Sequence, residues 1–153
     1  MRKLKLAATV ARVEEVIVGS KKLTRVYGRW PTFHDAEVID VHLWRGEMDP
    51  KHERFGARVL TVKVHVMEEV PASREMVAVL RFDGVDDFRM EGFNHQNALL
   101  GIEIEERSGK EFGSDGAAEF AVRFKEAFGM SASFTCRGIE VMEVRGKEGV
   151  NAS

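Results

Sequence analysis

The stretch Trp30-Pro31-Thr32-Phe33-His34-Asp35-Ala36-Glu37-Val38 runs directly into the segment Ile39-Asp40-Val41-His42-Leu43-Trp44. From Val38 onwards the apolar residues recur at every second position, which is the spacing of a β-strand. The alternation places Ile39, Val41 and Leu43 on one face and Asp40, His42 and Trp44 on the other. The stretch therefore predicts entry into a strand with one buried and one solvated face.

The same alternation recurs along the chain at Arg58–Glu68, Met76–Phe82, Val85–Met90, Leu100–Glu105, Phe120–Lys125 and Phe134–Val144. The connections between these segments are short and contain no helical pattern, which favours antiparallel pairing over βαβ units. Asp83-Gly84 predicts a hairpin, and Gly138 predicts a bulge near the last strand. We expect a mainly β (β-rich α+β) fold, either an antiparallel two-sheet sandwich or a curled sheet, of seven or eight strands.

The bulk composition is that of one globular domain. The chain has 153 residues, 44% of them hydrophobic and 31% charged, and such a chain can bury a substantial core. A short N-terminal helix is expected before the strands, with Ser20 at its start and Gly28 at its end. We expect a single domain over residues 1–153, with residues 1–19 peripheral to it and residues 147–153 forming a frayed tail.

Charge is divided unevenly along the chain. Residues 1–30 carry eight Lys or Arg and two Glu, a net charge of +6, whereas the rest carry fifteen Lys or Arg and twenty-three Asp or Glu, a net charge of −8. The acidic body favours a basic partner surface, or simply solubility. The basic first segment lacks the interleaved aromatic residues of an RNA-binding motif. We therefore expect no nucleic-acid partner.

The sequence points to the cytoplasm. A single cysteine, Cys136, permits no intrachain disulfide, which fits a reducing compartment. The apolar run near the N-terminus is broken by Arg12, Glu14 and Glu15, so it does not match a signal peptide. No run reaches the roughly 18 apolar residues that span a bilayer. We expect a cytoplasmic protein without a membrane partner.

The densest polar cluster is His34, Asp35 and Glu37, at the mouth of the first strand. Consecutive strand residues point to opposite faces, so His34 and Asp35 are poorly placed to bind one ion together. The chain has neither an H-E-x-x-H motif nor a cysteine pair. In the structural alternative, the two carboxylates accept backbone hydrogen bonds at the strand entry and His34 fills a half-buried site. We assign no metal ligands and no cofactor.

A second polar array is Gly92-Phe93-Asn94-His95-Gln96-Asn97, which holds three amides and an imidazole. Such residues either line a binding surface or bond their own backbone in an irregular loop. Cys136 alternates with Phe134, so we expect a buried and unreactive thiol. No catalytic residue is assigned.

Four motifs together resemble a known family. They are Trp30-Pro31-x-Phe33-His34-Asp35-Ala36-Glu37-Val38, Leu80-Arg81-Phe82-Asp83-Gly84-Val85, Glu91-Gly92-Phe93-Asn94-x-Gln96-Asn97 and Phe134-x-Cys136-x-x-Ile139-x-Val141. Over roughly residues 23–144 the chain is similar to the immunity protein 50 family of bacterial polymorphic toxin systems. The resemblance implies an antitoxin that binds and neutralises a cognate toxin, without catalytic residues.

The leading hypothesis is an interaction protein whose rigid β scaffold inhibits a toxin by direct binding. The candidate partner-binding residues are His34, Asp35, Glu37, His42, Trp44, Asn94, His95, Gln96 and Asn97. Trp44 either belongs to this surface or fills a second small core beneath the helix. One rival is a small-ligand- or metal-binding enzyme that uses the His34/Asp35/Glu37 region with His42 or His95. Another is a structural homo-oligomer built by pairing of strand edges.

Overall fold

The computed structural model describes residues 15–49, 54–55, 58–68, 75–107 and 119–146. Most of the segment predicted to be peripheral and the whole predicted tail lie outside these residues. Helix α1 spans Lys21–Tyr27, and the strands are β1 (Glu37–Trp44), β2 (Met48–Asp49), β3 (Arg54–Phe55), β4 (Val59–Val66), β5 (Met76–Asp83), β6 (Asp86–Glu91), β7 (Leu99–Arg107), β8 (Glu119–Glu126), β9 (Ser131–Cys136) and β10 (Gly138–Gly146). Within the described part of the chain, no helix is long and apolar enough to cross a membrane.

Eight of these strands form two four-stranded antiparallel sheets. The first sheet has the order β1-β4-β5-β10 and the second has the order β6-β9-β8-β7, while β2 and β3 pair only with each other. The predicted β-rich fold of seven or eight strands in two antiparallel sheets is therefore confirmed.

Aromatic side chains join the two sheets face to face. Phe82, on β5 of the first sheet, lies edge-on to Phe134 of the second sheet, with ring centroids 4.9 Å apart. Phe124 of β8 packs 6.1 Å from both rings. Edge-to-face pairs of this kind add to the free energy gained by burying the rings. The core of the sandwich is centred on this cluster.

The strand alternation read from the sequence is clearest in β4 and β9. In β4 each residue from Leu60 to Val66 alternates between buried and half-buried, and β9 repeats the pattern with Ala132, Phe134 and Cys136 buried. The buried set faces the opposite sheet, and the other set lines the outer face. One-sided alternation of this kind identifies a strand within a sandwich.

The predicted hairpin at Asp83-Gly84 is wrong. β5 belongs to the first sheet and β6 to the second, so the chain crosses between the sheets at Gly84, whose φ is 65°. The chain crosses back between Cys136 and Gly138, where Arg137 donates its backbone N–H to the Asp83 carbonyl at 2.8 Å. The Asp-Gly pair supplies a tight turn with a positive φ, but such a turn does not dictate that the flanking strands pair.

The predicted bulge at Gly138 is also wrong, because Gly138 pairs regularly with Asp83 at the start of β10. The irregularity in β10 lies between Val141 and Glu143 instead. At this position Met142 is 40% exposed. The bulge therefore lies in the middle of β10, beside helix α1, and not at Gly138, the first residue of the strand.

A second bulge corrects the predicted inner face of β1. The register with β4 shifts between Val38 and Asp40, which places Ile39 in the bulge with 49% of its surface exposed. Val38 and Val41 both face inward across the shift. Leu43 pairs with Leu60 but stays 43% exposed at the sheet edge. The inward placement predicted for Ile39 is therefore wrong, because the bulge turns this side chain to solvent. Leu43 lies on the predicted inner face with Val41, and its exposure comes from its position on the edge strand.

Helix α1 closes the β10 edge of the first sheet. It begins at Lys21 after Ser20, as predicted, although the Ser20 side chain makes no capping hydrogen bond. Gly28 ends it with φ 75° and donates its N–H to the Thr24 carbonyl at 2.7 Å. Val18 pairs in parallel with β10, and Lys22 Nζ donates to the Met142 carbonyl at 3.1 Å. The otherwise unpaired edge is thereby covered.

The aromatic cluster between the sheets should dominate stability. Phe82→Ala removes a fully buried ring from the point where the sheets meet, so we expect a loss of about 3–5 kcal/mol in the free energy of unfolding. The matched control is Phe128→Ala, since Phe128 is 64% exposed and its truncation should change stability by no more than about 0.5 kcal/mol. Urea unfolding of both variants measures the difference. Equal losses would contradict this account of the core.

Candidate partner-binding surface

The turn that enters β1 is held by the carboxylate of Glu68, which is only 8% exposed and follows β4. Its Oε1 accepts hydrogen bonds from the Thr32 backbone N–H, from the Thr32 hydroxyl at 2.7 Å and from the Phe33 N–H at 3.1 Å. Arg29 Nη2 lies 3.5 Å from the other carboxylate oxygen. Burial, followed by the charge of Glu68, raises the pKa of Tyr27 to about 12. A single carboxylate thus anchors the whole turn.

The backbone of this turn adopts unusual conformations. Phe33 and Asp35 both have φ of 63°. This value lies in the left-handed region, which residues other than glycine rarely adopt. Phe33 is fully buried, and its ring lies 5.7 Å from that of Trp30 in an edge-to-face contact. Packing and the bonds to Glu68 together offset the strain. The result is a rigid turn whose tip points away from the core.

His34 and Asp35 form the tip of the turn and lie in solvent. Their side chains are 60% and 69% exposed, and His34 Nδ1 lies 3.2 Å from Asp35 Oδ2. The His34 N–H donates to the Thr32 hydroxyl at 3.1 Å. The half-buried site predicted for His34 in the structural alternative is therefore wrong, because the positive φ of both neighbours turns the imidazole outward.

Backbone pairing joins this turn to the second polar array. Asp35 donates its N–H to the Leu99 carbonyl at 2.9 Å, and Leu99 donates to the Ala36 carbonyl at 2.8 Å. Val38 donates to the Asn97 carbonyl at 3.0 Å. The two polar segments, some 60 residues apart in sequence, therefore lie side by side at one end of the sandwich.

Asn97 lies at the centre of this junction and is only 3% exposed. Its Oδ1 accepts from the N–H groups of Asn94 at 2.9 Å and Met130 at 3.3 Å. Its Nδ2 donates to the carbonyls of Asn94 at 2.8 Å and Val38 at 3.2 Å. The Asn97 backbone N–H donates to Glu37 Oε1 at 3.3 Å. One buried amide thus links β1, the 92–97 loop and the turn between β8 and β9.

The structure separates the nine candidate residues into three groups. Exposed at the junction are His34, Asp35, Asn94, His95 and Gln96. The side chains of Glu37 and Asn97 make hydrogen bonds to the backbone within the junction. The structural alternatives predicted such bonds for a carboxylate at the strand entry and for an amide in the loop. His42 and Trp44 lie farther along β1 on the outer face of the first sheet, and Trp44 is about 23 Å from Glu37 at the rise of an extended strand.

Two exposed phenylalanines stand beside the junction, and sequence reasoning did not identify them as surface residues. Phe93 is 45% exposed and Phe128 is 64% exposed. They flank the point where Gly92 meets Gly129, which are so close that a Cβ on Gly92 would lie 2.5 Å from the Gly129 carbonyl oxygen. The signal in the sequence is an isolated aromatic next to a turn glycine. We call His34, Asp35, Phe93, Asn94, His95, Gln96 and Phe128 the corner surface.

The remaining sequence hypotheses for this region concern Trp44, metal binding and the thiol. Trp44 is 49% exposed, and helix α1 packs on β10, so the predicted second core of Trp44 beneath the helix is wrong. Among the described residues, no three His, Cys, Asp or Glu side chains are grouped so that they could hold a metal ion.

Cys136 is 1% exposed, as predicted. Burial first, and then the charges of Asp83 and Glu119, raise its pKa to about 12.

Comparison with known proteins identifies the family. The model of the family described as Immunity protein 50 matches residues 19–147 of the chain. Since the match covers most of the 153 residues, the chain belongs to this family, as the four motifs predicted. Neither the curated proteins nor the solved structures include a significant match.

The Asn97 junction gives a prediction about stability. Asn97→Leu leaves the buried carbonyls and N–H groups that it bonds without partners, so we expect a loss of about 2–4 kcal/mol in the free energy of unfolding. The matched control is the neighbouring Gln96→Leu, which removes an exposed amide and should change stability by no more than about 0.5 kcal/mol. Urea unfolding measures both. If Asn97→Leu leaves the free energy of unfolding unchanged, the corner surface does not depend on this amide.

The burial of Cys136 gives a prediction about thiol reactivity. Raising the thiol pKa from 9.0 to about 12 lowers the thiolate fraction at pH 8 about a thousandfold. We expect the native protein to react with an aromatic disulfide reagent at least about a hundredfold more slowly than the same chain in urea. The native rate should still rise with pH around pH 10, where the thiol of the unfolded chain is already mostly ionised. Native and unfolded rates within tenfold of each other at pH 8 would contradict the burial.

Proposed function

We propose that this member of the Immunity protein 50 family is a cytoplasmic antitoxin, which binds a cognate toxin of a bacterial polymorphic toxin system and neutralises it by occlusion. The observation that supports the proposal best is the convergence of two of the family-like segments, Trp30–Val38 and Glu91–Asn97, into one exposed and rigidly supported surface. The proposal assigns no catalytic residue and no cofactor to the chain.

The corner surface has the composition of a protein-binding site. Exposed aromatic residues supply most of the binding energy in many interfaces, and polar residues around them fix the orientation of the partner. Phe93 and Phe128 are the aromatic residues here, and His34, His95 and Gln96 are polar neighbours on the same corner. The described part of the chain provides no hydrogen-bond partner for the side chains of His95 and Gln96. These groups are therefore available to a partner.

Rigidity favours tight inhibition. A loop that orders only on binding loses conformational entropy, which weakens the complex by about 0.5–1.5 kcal/mol for each immobilised side chain. The bonds of Asn97 and Glu68 fix the backbone of both corner segments before the toxin arrives. We therefore propose that the corner docks with little rearrangement.

The outer face of β1, with His42 and Trp44, is the alternative to the corner surface as a binding site. It is separated from the corner by the length of the strand, so one compact interface centred on the corner need not include it. Trp44 therefore provides a matched exposed aromatic, since it is 49% exposed and Phe93 is 45% exposed. The two sites can be tested against each other.

The proposed function predicts that the chain protects growing cells from the toxin. The protein encoded beside this gene is expressed with and without the chain, and surviving cells are counted together with recovery of a co-purifying complex. We expect the wild-type chain to rescue growth, Phe93→Ser/Phe128→Ser to lose at least tenfold in survival, and Trp44→Ser to rescue like the wild type. Circular dichroism confirms that the variants are folded.

Three other outcomes separate the alternatives. Loss of rescue with Trp44→Ser alone would move the toxin-binding surface to the outer face of β1. Full rescue by all variants would overturn the role of both aromatic sites. A neighbouring gene product that is harmless, or that kills equally with and without the chain, would contradict the antitoxin function.

A further inference from the structure

The outer face of the second sheet contains a shallow trough along β9. Three small side chains of β9 face outward, namely Ser131, Ser133 and Thr135, while Ala132, Phe134 and Cys136 face the core. Longer side chains on the neighbouring strands form the walls. Two depressions, of about 520 and 460 Å³, lie along this strip, and both are lined by Arg89, Arg123 and Ser133. We call this feature the arginine trough.

The strand register places the two arginines on opposite sides of Ser133. Arg89 of β6 and Arg123 of β8 are each the direct cross-strand partner of Ser133 on β9. Their Cα atoms are therefore separated by two strand spacings, roughly 10 Å. Both side chains are exposed. Since Ser133 is small, two long guanidinium side chains are able to meet over it around one anion.

Both arginines lack a partner among the described residues. Three other cations among the described residues are paired: Arg58 with Asp86 at 3.0 Å, Arg81 with Asp83 at 3.0 Å and Lys125 with Glu103 at 3.2 Å. No hydrogen bond or ion pair from the described part of the chain reaches the guanidinium of Arg89 or Arg123. Two adjacent unpaired arginines in a chain with excess acidic residues mark a position that accepts an external anion.

Charges around the arginines limit what that anion is. Glu91 and Glu126 line one depression, and Asp87, Glu103 and Glu105 line the other together with Arg107. A polyanion such as nucleic acid would place further phosphates against these carboxylates and be repelled. A protein segment that carries one carboxylate between basic side chains matches the whole pattern, because arginine binds a carboxylate through two parallel hydrogen bonds.

The trough is continuous with the corner surface. Glu91 and Glu126 line its nearer depression, and the next residues in sequence, Gly92 and Ala127, begin the 92–97 loop and the turn that carries Phe128. We propose that the arginine trough receives an extended segment of the toxin whose central Asp or Glu binds Arg89 and Arg123, while the corner surface contacts the adjacent part of the same partner. This inference rests on the proposed antitoxin function and specifies the chemistry of its target.

Affinity measurements with the full-length chain test the proposal. The probe is the protein encoded beside this gene, carrying an inactivating substitution so that it can be purified, and calorimetry gives Kd at two salt concentrations. We expect Arg89→Ser and Arg123→Ser each to weaken binding about 10- to 100-fold and to reduce its salt dependence. Arg123→Lys should fall between wild type and Arg123→Ser, because lysine keeps the charge but loses the paired bonds. The control is Lys63→Ser, which removes a charge from the outer face of the first sheet.

The results distinguish this inference from the function on which it rests. Wild-type binding that is unchanged by both serine variants would overturn the trough and leave the antitoxin function standing. An equal loss with Lys63→Ser would mean that only net charge matters, which also overturns the trough. Tighter binding after loss of the arginines would show that the partner surface there is basic, which overturns the proposed carboxylate contact. If the wild-type chain does not bind the neighbouring protein at all, the proposed function itself fails.

Discussion

The side-chain amide of Asn97 bonds to three separate parts of the chain while only 3% of the residue is exposed. It bonds Val38 across 59 residues of sequence, Met130 across 33 residues and Asn94 within its own loop. Buried hydrogen bonds of this kind contribute modestly to stability when made but cost more when one partner is removed. The corner surface depends on them because its exposed residues lie on the segments that Asn97 joins. Glu68 has the equivalent role for the tip of the turn that carries His34 and Asp35.

The chain crosses between the two sheets twice. The chain passes from the first sheet to the second after β5 and returns before β10. These crossings bring β6 and β9 together, so Arg89 and Ser133 become direct neighbours although they are far apart in sequence. The same arrangement gives an acidic protein two adjacent arginines that have no ion-pair partner within the described part of the chain. Net charge governs how a partner approaches over long distances, whereas such a local pair governs what it binds on contact.

Local sequence patterns determined much of this structure and could not determine the rest. Alternation identified β4 and β9 because one face of each strand is buried throughout. It placed Ile39 wrongly because a one-residue bulge reverses the inward and outward sets, and no local preference marks that bulge. Asp83-Gly84 predicted the turn but not which sheet receives the next strand. For the candidate site, sequence identified the two polar segments and the family. It did not identify Glu68, Phe128 or the pairing of Arg89 with Arg123 across β9, because these depend on contacts between distant strands.

The central claim is that the partner of this chain binds the corner surface and the adjoining arginine trough. Hydroxyl-radical footprinting of the full-length chain, alone and with the inactivated neighbouring protein, tests it most directly, because aromatic and sulfur-containing side chains report solvent access one by one. The account predicts that oxidation of Phe93, Phe128 and Met90, which lines the trough, falls on binding, and that oxidation of Trp44 does not change. Reduced oxidation of Trp44 with Phe93 and Phe128 unchanged would contradict it.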